Sequence, residues 1–295
     1  MNKADKADKY ELYELAAQSP EATVNFLRAV HAGDPHILGE DFSGTAAVSR
    51  AWVKRGEEYT AIAVDHDEEP LRRAAAERVQ LKRADVMAAD DPADVIAVLN
   101  FSIGECHKRK VLLDYLRHVH ERLVDRQGIL VLDLFGGSST LVNTAIQIPL
   151  AEDVTYTWEN EAVNVITNRI GCRMSFQFDD GSEMPAAFFY HWRLWTPCEM
   201  IEAMEEAGFP RVEVYDRLGD AVDDQGNFYV SPVKSLYATI DAPYPDDEEY
   251  DEPADGSEEE TDEVVWRDDF DEDAEIRGSQ LPDWQCFVVA RTTAV

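Results

Sequence analysis

Along the first half of the chain, short apolar runs alternate with patterns of helical period. Ile37 and Leu38, the run ending at Asp65, residues Val79 to Val86, Val95 to Leu99 and Ile129 to Phe135 read as strands. Their largely unbroken apolar character suits a parallel sheet covered on both faces. Between them, Ala46 to Val53, a segment starting near Glu68 to Pro70, and the run Val111, Leu112, Tyr115, Leu116, Val119, Leu123 read as helices, the last ended by Gln127-Gly128. Ahead of all these, residues 10 to 32 predict two helices broken at Ser19-Pro20, the second opening on Pro20 and Glu21. Tyr10, Leu12, Tyr13 and Leu15 on the first would line a lid or cover the sheet edge.

From Thr140 the period changes. Thr155 to Trp158, Ala162 to Thr167 and Arg173 to Phe178 resemble β segments, followed by a turn at Asp180-Gly181 and the aromatic run AAFFYHWRLW. A helix then opens at Thr196-Pro197 and closes at Gly208, and RVEVYDR and DWQCFVVARTT supply two last strands. The expected fold class is α/β: a doubly wound, mostly parallel seven-stranded sheet with a β-rich insertion. The expected division is a helical cover over 1–33, a core over 34–149, an insertion over 150–195, and a completion of the sheet by 196–217 and 283–295.

Charge adds a further segment. The 295 residues carry a formal charge of -33, and the stretch 241–275 holds 19 of the 60 acids with Arg267 as its only base. Its composition predicts a disordered acidic insert. Without it the balance is 26 bases against 41 acids, still acidic, and no basic patch offsets the field. Nucleic acid is therefore not an expected partner. No apolar run approaches the roughly 20 residues needed to cross a bilayer, so no membrane partner and a cytoplasmic setting are expected. The four cysteines (Cys106, Cys172, Cys198, Cys286) are scattered, which argues for reduced thiols and against a CxxC metal site.

The chemistry concentrates at LGEDFSGTAAVSRAWV, residues 38–53, which reads as strand, small-residue turn and helix opening. In an open α/β sheet such a junction brings backbone and helix N-terminus close to an adenosyl-type cofactor. One glycine, Gly44, stands where a dinucleotide fingerprint has three, so the loop alone fits a structural turn equally well. Asp65, at the end of the next strand and 24 positions after Asp41, stands where a carboxylate accepts both hydroxyls of a ribose.

Together with EDFSGTA, the strings LNFSIGE, GILVLDLFGG, TYTWE and YHWRLWTPCEM followed by EAGF resemble a bacterial subgroup of the class I S-adenosylmethionine-dependent methyltransferases, over roughly residues 10–217 and 283–292. The resemblance implies a Rossmann-like sheet, S-adenosyl-L-methionine as cofactor and a small-molecule acceptor. It places Glu40, Asp41, Phe42, Ser43, Gly44 and Thr45 around the methionine part, Asp65 and His66 at the ribose, Asp85 and Val86 beside the adenine, and Asn100 and Phe101 near the sulfonium. Phe42 and Ala46 depart from it, occupying positions that are commonly glycine, and Asn100 lacks the Pro-Pro-Tyr that marks nucleobase amino-methylation.

Methyl transfer needs a base only when the acceptor carries a proton to remove. Glu105, His107 and His191 are the candidates, with His191 and Asn100 the expected catalytic pair. Trp158, Tyr190 and Trp192, with Trp195 nearby, would form an aromatic wall, and Arg193 would meet a substrate carboxylate or an internal acid. Each of these side chains has packing as its simpler role. Two rival functions stay open: a nicotinamide-dependent oxidoreductase on the same fold class, and a non-catalytic scaffold whose acidic arm binds a basic partner.

Overall fold

A computed structural model describes residues 2–216, 218, 221–222, 228–233 and 284–294. The acidic stretch 241–275 lies outside them. Two helices, α1 (Lys9–Ala17) and α2 (Pro20–His31), precede five parallel strands: β1 (Ile37–Asp41), β2 (Thr60–Asp65), β3 (Val79–Arg83), β4 (Val95–Val98) and β5 (Ile129–Gly136). Their connections carry α3 (Ala47–Trp52), the single turn α4 (Glu68–Leu71) and the long α5 (Arg109–Leu123). Four antiparallel strands follow, β6 (Thr144–Ala151), β7 (Val154–Asn160), β8 (Arg169–Phe178) and β9 (Glu183–Arg193). The chain then forms α6 (Pro197–Ala207), β10 (Arg211–Tyr215), a two-residue pair β11 (Ala221–Val222) and β12 (Phe228–Tyr229), and β13 (Trp284–Arg291).

The main sheet has seven strands in the order β10-β13-β5-β4-β1-β2-β3, with β13 antiparallel between β5 and β10. The order reverses between β1 and β4, and in open α/β sheets the crevice at such a reversal, outside the carboxyl ends of the strands, is where ligands bind. Burial explains the strand sequences. Every residue of β4 is buried, as are Ile129 to Leu134 of β5, because helices cover both faces. On one face α5 and α6 bury Leu112, Leu116, Val119, Met200 and Met204 with β4 and β5. On the other, α2 and α3 bury Phe26, Leu27, Val48 and Trp52 against β1 and β13. At about 25 cal/mol per Å², each such large side chain contributes about 2–3 kcal/mol.

Local signals place the helix ends. Pro20 opens α2, with Arg28 and His31 in its last turn. Helix α6 starts with a capping box of Thr196 and Glu199 and stops at Gly208, whose φ of +111° suits glycine.

The insertion differs from its expected outline. It is one four-stranded antiparallel sheet in the order β6-β7-β8-β9, beginning at Thr144. Strand β6 is a mostly exposed edge strand interrupted by Pro149, which masks the alternation of Ile146, Ile148 and Leu150 along it. Ala162 to Thr167, expected as a strand, instead forms a turn closed by Asn164 and Arg169. Its Val165 and Ile166 are exposed, so their β propensity has no partner strand to act on. The helix expected to start near Glu68 to Pro70 is present as a single turn.

Helices α1 and α2 separate functionally. Whereas α2 covers the main sheet, α1 packs Leu12, Tyr13 and Ala16 against the insertion sheet, with Tyr13 and Phe188 ring centroids 5.1 Å apart. Leu15 remains exposed. Among the described residues, no helix is long and apolar enough to cross a membrane.

Candidate functional site

At the carboxyl ends of β1, β2 and β4, the main sheet and the insertion enclose two adjoining cavities. The first, about 310 Å³, is walled by Phe42, Gly44 and Thr45 after β1, Asp65 to Asp67 after β2, Asn100, Ser102 and Glu105 after β4, and Tyr10 and Tyr13 of α1. The second, about 330 Å³, lies beneath the insertion and is walled by Tyr156, Trp158 and Met174 together with Phe101 and Asp133. Tyr13, Asn100, Tyr190 and Trp192 belong to both walls.

The loop after β1 is a run of left-handed turns. Phe42, Gly44 and Ala46 have φ of +57°, +53° and +53°. Two of the three are L residues, at a cost of roughly 1–2 kcal/mol each, and the loop nonetheless holds the conformation for which glycine is the usual choice. Asp65 fixes it across the crevice, accepting from the Gly44 N–H at 2.7 Å and from the Asp67 N–H at 2.8 Å. A Cβ built on Gly44 would meet nothing within 4 Å, so the backbone there faces open space. The Ser43 and Thr45 hydroxyls are buried without a hydrogen-bond partner among the described residues.

Strand alternation divides Glu40 from Asp41. Glu40 accepts from the Ser49 N–H of α3 at 2.7 Å, and burial pushes its carboxyl up to about 7 despite that bond and the nearby Arg50. Asp41 points to the other face, where Arg122 grips it with two bonds of 2.7 and 3.2 Å and Tyr115 donates its hydroxyl at 2.7 Å. With every oxygen occupied and the group buried, Asp41 is a scaffold ion pair and does not reach the cavity.

After β4 the chain again turns through two left-handed residues, Asn100 (φ +55°) and Phe101 (φ +62°). Asp133 of β5 holds this turn, accepting from the Asn100 N–H at 2.9 Å and the Phe101 N–H at 2.7 Å. Desolvation raises its carboxyl to about 7, the two backbone bonds opposing. The Asn100 side chain makes no hydrogen bond among the described residues. Gly104 of LNFSIGE has a packing reason: a Cβ there would come within 2.7 Å of Trp192.

The aromatic wall forms as a stack. Tyr190 and Trp192 lie 4.4 Å apart between centroids, Trp158 and Trp192 6.1 Å, and Phe101 meets the edge of Trp192 at 5.8 Å. Alternation along β9 sends the neighbouring residues outward. His191 is exposed with its ring against Phe189, and its carbonyl oxygen lies 2.6 Å from His107 Nε2. Arg193 stacks on Trp195 at 3.7 Å and pairs with Glu199 at 3.4 Å. Neither His191 nor Arg193 lines either cavity, although Phe189, on which the His191 ring packs, lines the first. Trp195 is buried in the main core.

Of the remaining expected residues, Phe42, Gly44, Thr45, Asp65, His66 and Asn100 come together on the first cavity, and Phe101 and Trp158 on the second. Glu40 and Ser43 lie behind the loop and line neither. Asp85 caps its own turn through the Met87 N–H, and Val86 is buried in the core. They follow β3 beside Asp65, whose carbonyl accepts from the Ala84 N–H at 3.0 Å. Glu105 does face the first cavity, its carboxyl raised by desolvation, with His107 and His66 opposing.

Pattern reasoning missed Asp133 and Phe188 and left Tyr10 and Tyr13 between two roles. A single acid inside the apolar run ILVLDLFGG was the available signal for Asp133, since an unpaired charge in a buried strand needs a reason.

No family model and no curated protein matches the chain. Solved structures match by fold. An S-adenosylmethionine-dependent methyltransferase from Clostridium acetobutylicum superposes with a TM-score of 0.59 at 16% identity, covering 78% of this chain and 98% of that one. DesVI from Streptomyces venezuelae gives 0.57 at 16%, covering 80% and 99%. An amino pentose methyltransferase from Micromonospora echinaspora, solved with S-adenosylmethionine bound, gives 0.56 at 15%, covering 75% and 94%. At these identities the likeness is one of fold: the chain has the α/β fold of these methyltransferases, with an added antiparallel sheet.

Proposed function

We propose that this protein is an S-adenosylmethionine-dependent methyltransferase acting on a small-molecule acceptor, with the cofactor in the first cavity and the acceptor in the second. The observation that carries this reading is the junction at Asn100. One strand end lies on both walls, so two ligands held in the two cavities would meet beside it.

The first cavity fits an adenosyl sulfonium in its chemistry. Asp65 at the end of β2 offers carboxylate oxygens to a vicinal diol. The open backbone at Gly44, beside the partnerless Thr45 hydroxyl, suits the amino-acid end of the ligand. Asp85 and Val86, next along the sheet, would flank the adenine. His66, the next residue after Asp65 and exposed, would cover the ribose from the solvent side. The fold neighbours include one solved with S-adenosylmethionine bound.

S-adenosylmethionine supplies a methyl group on a positively charged sulfur, and its displacement discharges that sulfur. The protein's part is alignment and exclusion of water. Tyr13, on both walls, and Phe188, on the first, pack together between α1 and the insertion. The Asp133-held turn fixes Asn100 at the junction of the two cavities, where its side-chain amide, unpaired among the described residues, can orient either ligand. Tyr190 and Trp192 offer aromatic faces beside the sulfonium.

Isothermal titration with S-adenosylhomocysteine and with NADH tests the assignment. Binding of S-adenosylhomocysteine alone is expected. Binding of NADH alone would replace this reading with the oxidoreductase.

A further inference from the structure

We propose that the acceptor is an amine on an aromatic or apolar body, held as its ammonium between the Asp133 carboxylate and the faces of Trp158, Tyr190 and Trp192. The inference rests on the methyl-transfer reading above and names the acceptor class for the second cavity.

Charge is the first argument. Among the described residues, neither Lys nor Arg lines either cavity, and His66, on the cofactor side, is the one basic side chain. Asp65, Asp67 and Glu105 add negative charge to the first cavity, and among the described residues Asp133 is the only carboxylate on the second. An anionic acceptor would be desolvated against carboxylates with no cation to meet it, at a cost of several kcal/mol. A cation is favoured by every charged group on that wall.

Shape and surface give the second. The Tyr190, Trp192 and Trp158 rings lie nearly parallel, with interplanar angles of 21° and 28°, and all three line the second cavity. Aromatic faces attract a cation, and the attraction grows as the site is desolvated. The rest of the second wall, with Met174, Tyr156 and Ile148, is suited to an apolar body.

The third concerns Asp133 itself. It is 4% exposed, and its partners are the two backbone N–H groups of the left-handed turn, with no cation among the described residues. Its carboxyl, raised by burial to about 7, is matched to taking a proton near neutral pH. In the reaction the ammonium N–H bond breaks and its proton passes to Asp133. The freed nitrogen lone pair forms the N–C bond to the methyl carbon as the C–S bond breaks, and that electron pair stays on sulfur. The products are the N-methylated ammonium, the thioether and a neutral Asp133, which returns its proton to solvent on release.

The test compares three probes that share one body and differ in charge: 2-phenylethylamine, 2-phenylethanol and phenylacetate. They are titrated into the full chain saturated with S-adenosylhomocysteine. The amine is expected to bind at least tenfold tighter than the alcohol, and phenylacetate weakest. Asp133→Asn, which keeps one of the two acceptors that hold the Asn100 turn, should bring the ratio of amine to alcohol affinity down to about one, whatever it does to the two affinities together. Trp158→Leu, which leaves the Asn100 turn intact, should lower the amine severalfold more than the alcohol. Equal or absent binding of the three, or tighter binding of the alcohol or the acid, overturns the proposal. The wild-type ranking decides even when Asp133→Asn does not fold. Failure of S-adenosylhomocysteine to bind, with the amine preference intact in the unliganded protein, would sink the cofactor assignment and leave the charge selectivity standing.

Discussion

Asp41 on β1 and Asp133 on β5 are both buried acids in the same sheet, 1% and 4% exposed, and they are treated in opposite ways. Asp41 faces α5, which supplies Arg122 in a two-pronged pair and the Tyr115 hydroxyl. Asp133 lines the cavity beneath the insertion and, among the described residues, receives only backbone N–H groups. Where helix packs on sheet, the chain carries its own countercharge. Where the insertion roofs the sheet, the charge stands on a cavity wall. A buried acid thus marks scaffold in one region and ligand space in the other, and its partners tell the two apart.

The sharpest way to break this comparison is Arg122→Met, which leaves Asp41 buried without its cation. A loss of about 3–5 kcal/mol is expected in urea unfolding. A loss below about 1 kcal/mol would mean that Asp41 is no more closed than Asp133.

Glu40, beside Asp41 but on the opposite face, tests the uncompensated side. Its folded pKa, about 7, exceeds the ordinary 4.5. The native state therefore holds its proton longer than the unfolded chain, and this group's contribution to stability falls as pH rises between those values and is flat above them. Glu40→Gln mimics the protonated form and retains an acceptor for the Ser49 N–H. Relative to wild type it should be near neutral at pH 4.5 and more stable by up to about 3 kcal/mol at pH 8. Denaturation midpoints across that range would show it, and a pH-independent difference would refute the assignment.

On the cofactor side, Asp65→Ala should weaken S-adenosylhomocysteine binding by about 1.5–3 kcal/mol in isothermal titration. Unchanged affinity in a folded variant would remove Asp65 from the ribose. The smallest expected effect is at Gly44, where space for a side chain exists but φ is +53°. Gly44→Ala should cost about 1 kcal/mol of stability from conformation alone, visible as a shift in the unfolding midpoint without a change in slope.

Much of the fold was legible because it depends on local rules. Strands buried on both faces must be continuously apolar, so Val95 to Leu99 and Ile129 to Phe135 announced themselves, and helix ends were marked by Pro20, Thr196-Pro197 and Gly208. Asp65 was legible for a related reason. The end of the second strand in such a sheet opens onto the crevice, whatever the rest of the chain does. The exposed edge strand β6 was passed over although Ile146, Ile148 and Leu150 alternate along it, because Pro149 inside the run argues against a strand except at a sheet edge, and only the pairing with β7 shows that it is one.

The site was only half written in the chain. The sequence by itself determined the sheet, the cofactor-side loop and the aromatic content of the insertion. Tertiary structure alone decided which residues of that content face inward. On β9, the regular register of Phe188 to Arg193 against Met174 to Arg169 of β8 puts Tyr190 and Trp192 on the cavity wall and leaves His191 exposed. It also decided that Arg122, 81 residues away, neutralises Asp41, while Asp133, 33 residues from Asn100, braces the turn between the two cavities. A strand's side chains alternate by rule, but the phase of that alternation and the partner of a buried charge are set by neighbours distant in the chain.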